Sequence, residues 1–454
     1  MRIMTRDRSF YKTLIALTIP IVLQGMISYA VNFADHLMVG KLGDLAVSGV
    51  YMGERFQTIL QMFVFGIDAA MLILSAQYWG AKDKDSVKRI SAMGIRWSFY
   101  VGAVMGIVIA LAPRFFTGLL TDDTAVVETA VGYVVFVALS YPFFCASQLL
   151  ITSMKSVENA RLGFWISFIA LFVNIGLNYM FIFGAPGIPA MGATGAGLAT
   201  LISRIVEFLI AAVFVFKIDR RLGMKLSDMF VQAPELRSDF VKNGAPVVGG
   251  QMVWAVNLVY NAYVMGHLSA AAVTASSITD QLEGFLRVFV FGLSGALGII
   301  TSKTVGAGEF KKMKEYAKTA EVIFLAVGLT ASAIMYIFHE PFMSLYDVSE
   351  ESLQHCREFF NVLFFTFIGT CWQATTLSGL VKSGGDTSFV LKNDSFFVFL
   401  VMIPGGLIAL HYGAPAWVIF FILKIDQILK CFVAVVKVNK FNWMRKLTRT
   451  AEEG

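Results

Sequence analysis

Asp35, Asn174, Asn178 and Thr200 are the residues whose types could do chemistry together in an otherwise apolar setting. One carboxylate and three neutral side-chain oxygens offer a hard monovalent cation, such as sodium, an oxygen shell without a large surplus of negative charge. A proton is the other occupant such a group takes, because burial favours the neutral form of a carboxyl. Asn174 and Asn178 are four apart, hence on one face of a helix. The alternative is structural: the asparagines hydrogen-bond between helices and Thr200 bonds back to its own. Asp35 weighs toward function, since intramembrane acids are costly and usually functional. Asp68 has no base three or four residues away, and with Glu54, Asp280, Glu283 and Trp254 it is expected to line a cavity for cationic substrates. Glu283–Arg287, Arg204–Glu207 and Asp426–Lys430 also fit the spacing of structural ion pairs.

Those residues must be positioned by membrane-spanning helices. Apolar residues make up 57% of 454, charged residues 15%, and mean hydropathy is +0.69. A soluble domain has about 25% charged residues. A hydrocarbon core takes roughly 20 apolar residues per helix, and such stretches fall near 14–38, 50–76, 92–112, 126–150, 162–183, 193–216, 243–266, 276–301, 318–338, 355–380, 390–410 and 415–436. The fold expected is therefore an all-α polytopic membrane protein of twelve spans. Asn178 then lies six residues from the outer end of the fifth helix at Gly184, about 9 Å, and Thr200 eight residues from Gly192 on the sixth, about 12 Å. With Asp35 near the outer end of the first helix, all four share one depth.

Lysine and arginine collect in cytoplasmic loops. Most of the 37 basic residues fall on the side of the termini, from Arg2, Arg6 and Arg8 through Lys82–Lys88 and the connection at 217–242 to the tail at Lys437–Arg449. The opposite side holds Lys41, Arg114 and Arg357 with the acidic loops Asp122–Asp123 and Glu350–Glu351. Both termini are expected in the cytoplasm, with the chain in a bacterial inner membrane. This topology accounts for the net charge of +6 without a nucleic-acid partner. No cleavage site follows the first apolar run, so no signal peptide is expected. Cys145, Cys356, Cys371 and Cys431 show no CxxC or zinc spacing, the five histidines none either, and there is no Walker A sequence. Neither a cofactor nor catalysis is expected.

The chain also repeats itself. At an offset of 226 residues Pro20 falls on Pro246, Gly40 on Gly266, Phe63–Gly66 on Phe289–Gly292 and Gly80–Ala81 on Gly306–Ala307. One added residue then brings Lys155–Ser156 onto Lys382–Ser383. Six spans per half make the two repeats parallel, related by a pseudo-two-fold axis along the membrane normal, an arrangement used by transporters that rock around a central path. The expected division is an N-lobe at 1–216, a cytoplasmic linker at 217–242 and a C-lobe at 243–454, with Pro20 and Pro246 as hinges.

At this point the pattern resembles the multidrug and toxic compound extrusion (MATE) family of the MOP flippase superfamily over nearly the whole chain. The resemblance rests on Pro20, Asp35–Gly40 with Leu42–Gly43, Ala76–Asp83, Asn174–Gly184, Gly192–Thr200 and Lys382–Thr387, in that order and spacing. It implies secondary active efflux of small organic cations by antiport against sodium or protons, by a protein expected to be a monomer among membrane lipid. It also implies an N-lobe cation site on the first, fifth and sixth helices, which maps onto Asp35, Asn174, Asn178 and Thr200. The chain has Asn178 where proton-coupled members often have aspartate, and Trp254 and Cys371 where some members have C-lobe acids. The alternative within the superfamily is a flippase for lipid-linked saccharides, which would favour a strongly basic cavity or extra spans.

Overall fold

The computed structural model describes residues 4–121 and 123–449, so Arg2 and Asp122 lie outside the described residues. Twelve long helical rods follow one another, without a strand among the described residues. In the first half these are α1 (Arg8–Gly40), α2 (Asp44–Gly80), α3 (Lys84–Leu111), α4 (Thr124–Ser156), α5 (Arg161–Phe183) and α6 (Gly192–Val213, continued to Ile218 by a wide turn). The second half has α7 (Pro234–Gly266), α8 (Ala270–Gly306), α9 (Phe310–Met343) and α10 (Glu350–Ala374, continued as a π-helical segment Thr375–Lys382). It ends with α11, in three joined pieces from Thr387 to His411, and α12, in two pieces, Ala416–Lys424 and Asp426–Lys440.

The helix boundaries repeat the sequence offset. Arg8 and Pro234, Asp44 and Ala270, Lys84 and Phe310, Thr124 and Glu350, Arg161 and Thr387 are helix starts separated by 226 residues each. The single added residue coincides with the π-helical segment of α10, whose i→i+5 turn takes up an extra residue without ending the rod.

Several rods begin earlier than their apolar stretches. α3 starts at Lys84 rather than 92, α7 at Pro234 rather than 243, and α9 at Phe310 rather than 318. Lysine and glutamate are good helix formers, so the chain stays helical beyond the hydrocarbon until a cap ends it. Asp83 caps α3 by accepting from Ser86 N at 3.0 Å, and Pro234 sits at a first helical position, where its missing N–H costs nothing. α12 is broken at Ile425, where a continuous span was expected.

The chain forms two compact units. One contains Leu23–Trp79 and Asp83–Gly244; the other contains Ala245 onward, Gly80–Lys82 and the chain before Leu23. In the first, α4 is the central rod, packed on α3 and α6. Close approach there needs glycine: a Cβ at Gly106 would stand 2.3 Å from the Ala138 carbonyl. In the second, α10 packs on α8, α9 and α12, and Phe359 stacks on Phe420 with centroids 4.2 Å apart.

Candidate functional site

α5 and α6 form a hairpin whose register sets the site. Gly184 ends α5 with φ +87°, a conformation open to glycine and strained for other residues. Met191 N then donates to the Phe181 carbonyl at 2.8 Å. Gly195, one turn into α6, has no room for a side chain, because a Cβ would lie 2.3 Å from that same carbonyl. The two helices are thereby held backbone to backbone, with Asn174 and Asn178 of α5 buried inside the unit.

Asp35 of α1 meets this hairpin. Asn178 Nδ2 donates to Asp35 Oδ1 at 2.5 Å and to Asn174 Oδ1 at 3.1 Å. Asn178 is 1% exposed, and its own Oδ1 has no hydrogen-bond partner among the described residues. Flipping the amide would set that oxygen against a carboxylate oxygen, so the orientation is fixed by charge. Oxygen and nitrogen share one carbon, and the orphaned oxygen therefore sits beside the Asp35 carboxylate. Leaving such a group buried and unpaired costs about 1–3 kcal/mol, a cost that a bound cation removes.

Thr200 is on α6, half-buried, and its hydroxyl donates to the Ala196 carbonyl at 3.0 Å. The hydrogen is thus committed to its own helix, while the oxygen keeps acceptor capacity. Arg204, one turn further along, donates to Glu207 at 2.6 Å and lies over the Phe144 ring at 4.9 Å. Together with Glu54 it is the charge that bears on Asp35. Glu54 itself stands 3.7 Å from His36 Nε2. Tyr133 of α4 was missed by sequence reasoning. It is buried, under the electrostatic influence of Asp35 and Glu54, and wedged where a Cβ at Gly53 would meet its ring at 2.7 Å and one at Gly197 its carbonyl at 2.6 Å. Nothing but those small residues on the facing helices could have flagged it.

The remaining candidates lie elsewhere. Asp68 accepts a hydrogen bond from Thr152 of α4 and faces the ammonium of Lys155, so its base comes from another helix. Glu283 is 2% exposed and held by Arg287 at 2.6 Å and Lys424 at 2.9 Å. Asp280 is largely exposed, with Lys424 at 3.8 Å, and Trp254 is exposed. At the position 226 residues beyond Asp35 stands the neutral Asn261. Asp35 thus has no carboxylate counterpart at the equivalent position of the second repeat.

Comparison with known proteins places the chain as a whole in a family. The MatE family model matches residues 20–180 and 246–408, once in each half. A probable multidrug resistance protein, YoeA of Bacillus subtilis, is 20% identical over 407 residues, covering 89% of this chain and 88% of that protein. A probable multidrug resistance protein NorM of Streptococcus pneumoniae is 25% identical over 375 residues, 81% of each chain. Among solved structures, the Vibrio cholerae MATE transporter VcmN superposes with TM-score 0.87 at 18% identity, covering 97% of this chain and 98% of that one. A MOP superfamily transporter from Pyrococcus furiosus gives TM-score 0.85 at 18% identity, over 96% and 99%. With both repeats matched by the family model over most of the chain, this twelve-helix protein belongs to the MatE family, whose members are membrane transporters and not enzymes.

Proposed function

We propose that the protein exports small organic cations by antiport, coupled to a monovalent cation bound in the first repeat by Asp35, Asn174 and Asn178 with Thr200 at its edge. The observation behind this reading is the unpaired, buried Asn178 oxygen beside a carboxylate. Asp35 supplies the negative charge, Asn178 and Asn174 supply neutral oxygens, and the set suits sodium better than a lone proton because one ionisable group is joined by several acceptors. Ion binding changes the charge at Asp35, and a ligand shifts an equilibrium only through differential affinity for its states. The lobes then alternate access across the inner membrane, flexing at Pro20 and Pro246, with both termini in the cytoplasm and the protein acting as a monomer.

Efflux of a fluorescent cation from proteoliposomes tests this directly, with sodium and pH gradients imposed separately. Outward transport should follow an inward sodium gradient at fixed pH. Transport that follows a pH gradient in sodium-free buffer and ignores sodium would make Asp35 a proton carrier instead. Transport that follows neither, with movement of a lipid-linked saccharide, would establish the flippase alternative.

A further inference from the structure

A cavity of about 260 Å³ lies within the first unit, between the middle of α3 and the segment that leads into α7. Its walls hold two guanidiniums, Arg96 and Arg237, two aromatic residues, Trp97 and Tyr100, and the amide of Gln232; no carboxylate is among the lining residues. We propose that this cavity binds the phosphate headgroup of an anionic phospholipid. The charge calls for an anion, and the two guanidiniums have donors to spare. Arg96 uses Nη1 on the Met229 carbonyl at 2.7 Å and Nη2 on the Val231 carbonyl at 3.3 Å, out of five N–H groups. Arg237 is exposed and has no side-chain hydrogen bond or ion pair among the described residues. Arginine matches phosphate oxygens in a bidentate manner.

The surroundings select a lipid over a free anion. Arg96 is the last charge before an uncharged run that reaches to Arg114, which sets it at one edge of the hydrocarbon. Trp97 and Tyr100 are placed where interfacial aromatics sit, at headgroup level. Trp97 is braced edge-on by Phe240 at 5.2 Å. Beside the cavity the connecting segment exposes Leu226, Phe230 and Val231, with Phe230 78% accessible, an apolar ledge for acyl chains next to a cationic cup. The bound headgroup belongs to the leaflet on the side of the termini, cytoplasmic on the reading proposed above. Arg96 and Arg237 together then tie the linker to the membrane surface.

Native mass spectrometry of the purified protein in detergent, titrated with phosphatidylglycerol or phosphatidylcholine, tests this without any gradient or transported substrate. Wild type should bind one phosphatidylglycerol about tenfold more tightly than phosphatidylcholine, as expected for a pair of arginines at the headgroup. Arg237→Glu should abolish that preference and Arg237→Lys should keep it; Arg237 is exposed and unpaired, so neither change disturbs the fold. An unchanged preference in Arg237→Glu overturns the site. Displacement of the lipid by inorganic phosphate at equal concentration would show a free-anion site and overturn the lipid assignment. Both readouts stand whether or not sodium-coupled efflux is found.

Discussion

At position 35 a neutral amide is nearly the shape of the native carboxylate, so Asp35→Asn isolates charge from packing. The variant should be made and purified as a monodisperse protein yet show gradient-driven efflux reduced to background, because the Asn178 contact loses its charged acceptor and the ion loses its anion. Efflux at the wild-type rate would refute the assignment. Asn178→Ala removes both the donor to Asp35 and the orphaned oxygen, and sodium binding measured by calorimetry should be lost; Thr200→Ala should only weaken it, since the Thr200 hydrogen already serves the Ala196 carbonyl. Substrate affinity without sodium should change less in both. A second residue-level consequence concerns acid. Asp7, just ahead of α1, accepts from Tyr316 Oη at 2.5 Å and from Ser9 N at 2.9 Å, with Lys312 at 3.6 Å, and these contacts, Tyr316 foremost, hold its carboxyl below the usual value of 3.8. A carboxyl shifted downward in the folded state contributes stability that is complete above its unfolded value and is lost as pH falls through the folded one. Protection of residues 5–10 from hydrogen exchange, corrected for the intrinsic pH dependence of the rate, should therefore be constant above about pH 4 and fall in stronger acid, and Asp7→Asn should remove that fall.

Helix number, repeat and the shared face of Asn174 and Asn178 could be read from the chain, because each depends on local signals. Apolar runs mark spans, glycine and proline mark repeat positions, and Asn174 and Asn178 announce a shared face by their spacing. What stayed hidden is contact between elements distant in sequence. Spacing leaves Asp68 without a base, yet α4 brings Thr152 and Lys155 to it. Glu283 reads as a partner of Arg287 alone, and Lys424 of α12 turns that pair into a triad. The fourth helix of each half ends in a half-buried lysine, Lys155 or Lys382, but they face carboxylates from different helices, Asp68 and Asp394, so the repeat keeps the base and varies its counter-ion. The same α12 supplies Lys430, which lies 3.0 Å from both Asp394 and Asp426 and is 6% exposed. Removing one partner from a buried ionic group leaves uncompensated charge and costs about 3–5 kcal/mol, whereas replacing the whole group by apolar residues of like volume is often neutral. Lys430→Ala should accordingly lower the melting temperature in detergent steeply. The triple change Lys430→Met, Asp394→Leu, Asp426→Leu should recover most of the loss; equal melting of Lys430→Ala and wild type would show the triad to be hydrated and unimportant.

For the molecule as a whole, orientation is the first consequence of the basic loops. A cysteine at Asp228, in a background without the four native cysteines, should resist an impermeant thiol reagent in intact cells and react in inverted vesicles; labelling from outside would reverse the topology. Motion is the second. α1 passes from one compact unit to the other between Val22 and Leu23, and α7 does so between Gly244 and Ala245. Pro20 is the third residue before the first crossing and Pro246 the second residue after the second. A proline inside a helix removes an i→i−4 hydrogen bond and is a recognised cause of bending. Each crossing therefore falls within three residues of a proline that weakens its rod, and the two prolines are repeat equivalents. If alternating access flexes the chain there, Pro20→Ala and Pro246→Ala should restore the missing bonds, stiffen the crossings and slow turnover severalfold, with sodium binding at Asp35 left intact. The double variant should be slower than either single one. Efflux kinetics in proteoliposomes alongside calorimetric sodium titration separate the two effects: unchanged turnover would remove the prolines from the mechanism, while loss of sodium binding would mean that they shape the ion site and not the motion.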